Sequence, residues 1–222
     1  MKQTNNISNI KRISVIAMFG ALAFVLTYLK LPVMFLSLEV KDSVIVLCTL
    51  LFGPMAGLAI AILVPLLELI SHSSTGVYGL IMNMLSSVTF SLVTGVIYKY
   101  KKSFYGAIVG LLSGIFAVTA VMVLANLLVT PYYMGVSVQE VAVLIPKILL
   151  PFNLIKATLN GAIVLLLYKP LSTVLKKARL LETTVHTAEE GEKPSPVRSI
   201  FVTVIAVGVI ALSLAVIFFV LK

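Results

Sequence analysis

The sequence predicts an all-α polytopic membrane protein, a six-helix bundle followed by a C-terminal seventh transmembrane helix. Three observations predict it. Of 222 residues, 60% are hydrophobic and only 11% are charged, with a mean hydropathy of +1.13. A soluble domain carries about 25% charged residues, so this chain has too little polar surface to cover its apolar part in water, and it is too apolar to be disordered. Apolar runs long enough to cross a bilayer alternate with short polar turns. Lysine and arginine gather in every second turn, as topology signals do. At about 20 residues per span there is room for at most seven or eight crossings and none for a soluble catalytic or nucleotide-binding domain. The formal charge of +9 then reads as loop charge that sets orientation, not as a nucleic-acid surface. The single cysteine, Cys48, excludes an internal disulfide and a multi-cysteine metal cluster.

The elements follow in order. Residues 1–12 are polar and basic (Lys2, Lys11, Arg12), and Ile13–Leu29 is a continuous apolar run. A signal peptide would begin this way, but a small-residue cleavage site is missing, so the run is expected to stay as the first span. Residues 30–42 form a mostly apolar connection, expected to fold against protein or into the interface. The next apolar stretch ends at Gly53-Pro54, where proline stops helix propagation. This predicts a short second span over 42–52 and a third over 55–71. A ten-residue helix is about 15 Å long, half the hydrocarbon core, and needs protein around it. The fourth span is expected over 77–98 and the fifth over 104–129. A loop at 130–140 precedes a long sixth span, Val141–Ala178, interrupted by Pro146, Pro151 and Pro170. Residues 179–199 read as a polar linker, and Ile200–Leu221 as a further span. The domains expected are thus an N-terminal segment 1–12, a six-helix membrane domain 13–178, the linker, and an added helix 200–222.

Charge supports this division. With the N-terminus inside, Lys2, Lys11, Arg12, Lys99, Lys101, Lys102, Lys169, Lys176, Lys177, Arg179, Lys193 and Arg198 fall inside. Only Lys30, Lys41 and Lys222 fall outside, and Lys147 and Lys156 lie within the sixth span. Omitting the break at Gly53-Pro54 would invert the later loops and destroy this bias.

Catalytic motifs are scarce: there is no H-E-x-x-H, G-x-x-x-x-G-K-[ST] or G-x-S-x-G, and His72 and His186 fall on opposite sides of the membrane. The chain reads as a non-enzyme. What remains is polarity inside the membrane. Lys156 sits in the sixth span, where a charge costs about 2.5–3.5 kcal/mol, so it must face protein or a cavity. Asn153 precedes it by three residues and Asn160 follows by four, on one helical face. Asn126 and Asn83 add further amides. Each amide offers two donors and an acceptor, suited to a flat ligand edge of alternating character; interhelical hydrogen bonding is the competing role. Glu68 either pairs with Lys156 or snorkels to the surface. Glu39, Lys41 and Asp42 are either a solvated loop with Asp42 as N-cap, or contacts for a ligand tail or gate. Tyr132 and Tyr133 either belong to the interfacial aromatic belt or lid a pocket. Ala17, Gly20 and Ala21 make a small-residue strip on the first span that permits close helix approach, within the bundle or to a partner.

In order along the chain, Leu51-Phe52-Gly53-Pro54-Met55-Ala56-Gly57, Ser74-Thr75-Gly76-Val77-Tyr78-Gly79 before Ile81-Met82-Asn83, Asn126 before Thr130-Pro131-Tyr132-Tyr133-Met134-Gly135, and Pro151-Phe152-Asn153-Leu154-Ile155-Lys156 resemble one family over residues 8–178. It is the family of substrate-binding S components of energy-coupling factor (ECF) transporters, and the riboflavin-specific type is most similar. The resemblance implies a six-helix vitamin binder in the bacterial cell membrane, its N-terminus cytoplasmic. It would dock on a membrane T component carrying two ATP-binding subunits. Asn126, Asn153 and Lys156 would hydrogen-bond the flavin ring, with loop 30–42 capping the site and Glu39, Lys41, Asn83 and Tyr132 contributing. Riboflavin would be cargo, with no cofactor. Ala17 and Ala21, with Gly20, match the small-residue motif that contacts the scaffold. The seventh span departs from the six-helix pattern. Another vitamin, a self-sufficient secondary transporter, or a ligand-free assembly protein are the alternatives. The secondary transporter would want internal repeats and coupling carboxylates, and Glu68 is the one carboxylate inside a span.

Overall fold

The computed structural model describes residues 2–178, 180, 204–213 and 215. Helix α1 (Lys2–Leu26) leads into a two-stranded antiparallel hairpin, β1 (Leu31–Val33) and β2 (Leu36–Leu38). Then come α2 (Lys41–Phe52), α3 (Pro54–Ser71), α4 (Gly76–Tyr100) and α5 (Phe104–Met134). Helix α6 (Val138–Leu144) passes through a wide π-turn, Ile145–Leu149, into α7 (Leu150–Lys177), and a short apolar helix α8 covers Val204–Ser213. Five stretches among these residues are long and apolar enough to cross a membrane: Asn9–Leu26, Pro54–Ser71, Gly76–Tyr100, Phe104–Met134 and Val138–Lys177. The chain is an all-α membrane protein, with one small hairpin among the described residues.

The break at Gly53-Pro54 is where the sequence placed it. Gly53 has φ 97°, a left-handed conformation that glycine adopts without a Cβ penalty, and its N–H caps α2 on Thr49 O; Pro54 then opens α3. At 12 residues α2 is about 18 Å long, well short of a bilayer core. Protein does surround it: every residue but Leu51 is buried. Helices α1, α3, α4 and α7 enclose it more than the apolar connection does. Arg12 Nη2 donates to Phe52 O at 2.8 Å and fastens α1 to the end of α2. Helices α4 and α5 pack so closely that a Cβ on Gly110 would stand 2.8 Å from Thr94 O.

Several boundaries differ from expectation. The connection 30–42 holds the hairpin, closed by a two-residue turn at Met34-Phe35 with Met34 at φ 56°. Helix α5 runs through Pro131 to Met134, ended by Gly135 at φ 67° with its N–H on Pro131 O, so the expected loop at 130–140 shrinks to a few residues. Of the three prolines expected to interrupt the sixth span, Pro146 lies in the π-turn and Pro151 directly after it, in the first turn of α7. Pro170 lies inside α7 without ending it, as Pro65 does in α3. Helices packed among neighbours tolerate such residues. His186, the rest of linker 179–199 and most of the expected seventh span lie outside the described residues.

The main core joins α1, α2, α3, α4, α5 and α7 around Phe19, Ile45, Val46, Cys48, Ala61, Phe90 and Leu111. A second, smaller cluster joins Val33 and Leu38 of the hairpin to Phe152 and Leu159 of α7, and Ile210 of α8 packs against it.

Candidate functional site

The hairpin's two feet are charged. Lys30 precedes β1 and Glu39 follows β2, and both meet a buried ionic cluster. Lys41, on the first turn of α2, places Nζ 2.8 Å from Glu68 Oε2 and 2.5 Å from Glu39 Oε2. The latter contact is a close ion pair between two buried groups. Lys30 Nζ donates to Glu68 Oε1 and lies 3.6 Å from Glu39 Oε1. The four groups form a closed ring of alternating charge: Lys30, Glu68, Lys41, Glu39. Asn83 Nδ2 of α4 donates to both Glu68 oxygens at 3.1 Å. Glu68 therefore neither pairs with Lys156 nor snorkels; its partners come from the hairpin foot, α2 and α4. Asp42 does not cap α2 either. Val40 holds the cap position without a side-chain bond, while the Asp42 carboxylate accepts from Ser87 Oγ at 2.5 Å and Ser86 Oγ at 3.4 Å.

Helix α7 brings its amide–lysine face to this ring. Asn160 Nδ2 donates to Glu39 O and to Lys156 O, both at 2.9 Å, while Ser43 N donates to Asn160 Oδ1 at 2.8 Å. One amide thus holds the backbone on either side of Lys41. This is interhelical glue, and it brings Lys156 to Glu39. The Lys156 ammonium joins none of the ion pairs among the described residues and acts on Glu39 at longer range. Burial works to raise the Glu39 carboxyl, but the ammoniums of Lys156, Lys41 and Lys30 outweigh it and hold the group at about 2. Glu39 is therefore an anion at neutral pH. Asn153, one turn before Lys156, is buried and donates to Leu149 O at 2.7 Å. Asn126, buried in α5, donates to Met122 O at 2.7 Å and accepts from Thr130 Oγ1 at 2.9 Å. Each of these Nδ2 groups keeps a second N–H.

The remaining expected residues scatter. Tyr132 is 77% exposed on the last turn of α5, and Tyr133 meets the Tyr78 ring edge-on at 6.2 Å. Among the described residues neither shares a hydrogen bond with the four charges. Ala17 and Ala21 are exposed along α1, while Gly20 faces inward, its position 3.8 Å from Ile60 were a Cβ present. The strip is thus two alanines, and Gly20 belongs to the α1–α3 contact. Sequence reasoning treated Lys30 only as an outside loop charge. Its signal was the order Lys30, Glu39, Lys41 around an apolar stretch, alternating charge at the feet of a segment with none between.

Residues 11–168 match the family described as ECF transporter, substrate-specific component. The chain belongs to that family. This S component is 34% identical over 182 residues to the riboflavin transporter RibU of Staphylococcus aureus (strain TCH60), a match covering 78% of this chain and 96% of the relative. It is 28% identical over 183 residues to the riboflavin transporter FmnP of Bacillus subtilis (strain 168), covering 77% and 96%. A solved S component of a bacterial ECF transporter superposes with a TM-score of 0.66 at 34% identity, over 76% of this chain and 99% of that one. The protein is a multi-pass transport component and not an enzyme. Membership implies a vitamin substrate and T-component and ATPase partners.

Proposed function

We propose that this S component captures riboflavin at the hairpin end of the bundle and hands it to a T component driven by two ATP-binding subunits. The observation that carries the reading is Lys156: a lysine within a span, outside every ion pair described, beside Asn153 and facing Glu39. Two relatives named as riboflavin transporters support the choice of vitamin. A cation and amides read the carbonyl and ring-nitrogen edge of a flavin, so Asn126, Asn153 and Lys156 hold the ring. Glu39 and the hairpin cap the polar tail. Lys41 and Asn83 act behind them by holding Glu39 and Glu68 in place. Tyr132 stays in the interfacial belt. Loop charge puts the N-terminus in the cytoplasm of a bacterial-type cell and the hairpin outside. The exposed alanines Ala17 and Ala21 dock on the T component, and α8 is the middle of a seventh span over 200–221.

Titration of riboflavin against purified protein, following flavin fluorescence, tests this. Quenching at micromolar protein is the expected result, and the preparation should carry the visible absorption bands of a flavin. Absence of quenching by riboflavin and by its analogues would falsify the assignment.

A further inference from the structure

We propose that Glu68 is a positioning residue for this site, and that the ring Lys30–Glu68–Lys41–Glu39 is a clasp that holds the hairpin shut over it, released at Lys30. The proposal rests on the reading that the hairpin caps the substrate site.

The two feet of the hairpin are held differently. The Glu39 foot is pinned three ways: its carboxylate meets Lys41, its carbonyl accepts from Asn160, and Ser43 N three residues beyond Val40 bonds Asn160 again. The Lys30 foot has one strong hold, its ammonium on Glu68. Between the feet the hairpin rests on α7 through Val33 and Leu38 against Phe152 and Leu159. Apolar contact of that kind is non-directional and lets a segment slide or lift. Directional restraint therefore sits at the feet, and the weaker foot is Lys30.

Exposure points the same way. Side-chain exposure is 1% for Lys41, 2% for Glu39 and 5% for Glu68, against 24% for Lys30. Three members are out of reach of solvent, and the fourth already borders it. Rehydrating Lys30 exchanges its ion pairs with Glu68 and Glu39 for water, whereas withdrawing any other member takes a fully buried charge from its partners. Glu68 itself is over-determined. Lys30, Lys41 and Asn83 all donate to it, so it stays with α3 and α4 when Lys30 leaves. Lys41 and Asn83 then keep it paired. The hairpin swings about its Glu39 foot, the same foot that faces Lys156. Opening would thus admit ligand on the Lys30 side while the binding groups near Glu39 keep their places.

Lys30→Met breaks the clasp at its exposed member, and Glu68→Gln breaks it at its centre. Backbone hydrogen exchange of residues 31–38 in ligand-free protein reports the hairpin directly, and stopped-flow flavin fluorescence reports ligand exchange. In Lys30→Met, hairpin amides should exchange roughly tenfold faster while those of α4 and α5 keep their rates, as a local opening requires. Riboflavin should leave roughly tenfold faster, with a smaller change in its association rate. Glu68→Gln should show the same hairpin signature; if it does not fold, Lys30→Met decides alone. Unchanged hairpin exchange in Lys30→Met overturns the clasp. So does exchange that rises equally in α4 and α5, since the ring would then be general stability. Loosened hairpin amides in a protein whose wild type ignores riboflavin would uphold the clasp and remove the riboflavin reading instead.

Discussion

At the scale of single residues, Lys156 separates a ligand contact from a structural charge. Its ammonium has no ion-pair partner among the described residues, so the protein does not depend on it for a buried pair. Lys156→Met should weaken riboflavin binding by about 2–4 kcal/mol, the scale of a lost charge-assisted hydrogen bond. Thermal stability without ligand should hold or rise, because a half-buried charge inside a span is gone. Equilibrium titration and a melting curve check both halves, and unchanged affinity would return Lys156 to a packing role. This face of α7 was legible in the sequence because Asn153, Lys156 and Asn160 recur at helical spacing, and a helix converts spacing into a shared face. The partners of Glu68 were not legible. Lys30 is 38 residues away and Lys41 is 27, and which cation meets a carboxylate across such distances is decided by the packing of α2, α3 and the hairpin.

At the scale of elements, the short α2 could be read because glycine and proline punctuate the backbone locally, whatever the surrounding fold. The hairpin lacked such punctuation. Its turn is Met34-Phe35, without the glycine, asparagine or aspartate that usually supplies a positive φ, and its strands are three residues each. Met34 adopts φ 56° because a two-residue turn between Val33 and Leu36 calls for a positive φ at its first position. Proline misled in the other direction: Pro131 and Pro170 read as breaks but sit inside helices. The α4–α5 contact has its own test. Because the obstacle to a side chain at Gly110 is the backbone carbonyl of Thr94, no rotamer change can relieve it. Gly110→Leu should lower stability by about 1–3 kcal/mol or more by overpacking, seen as a lower melting temperature with ligand binding falling alongside. A leucine tolerated there without loss would mean the two helices can separate.

At the scale of the whole molecule, the exposed alanines of α1 distinguish capture from transport. Ala17→Leu with Ala21→Leu adds bulk to a face that packs against nothing described in this chain. The doubly substituted protein should bind riboflavin normally when purified, yet fail to co-purify with a T component and fail to support uptake. Normal uptake would eliminate the strip as an interface. Loss of stability and binding together would place it inside the bundle. Helix α8 lies elsewhere, beyond residue 168 where the family match ends, with Ile210 against the hairpin–α7 cluster.

The ring of four charges also bears on how the protein behaves in an energised membrane. Moving one elementary charge through the full potential is worth about 2.3 kcal/mol per 100 mV, enough to change a rate some fiftyfold. The hairpin carries one cation and one anion on its feet and no ionisable group between them. Because the hairpin swings about its pinned Glu39 foot, Lys30 is the charge that travels while Glu39 stays at the pivot. Opening then displaces one positive charge, and its rate senses whatever part of the field Lys30 crosses. Replacing Lys30 with a neutral residue removes the travelling charge and makes the hairpin's motion blind to voltage.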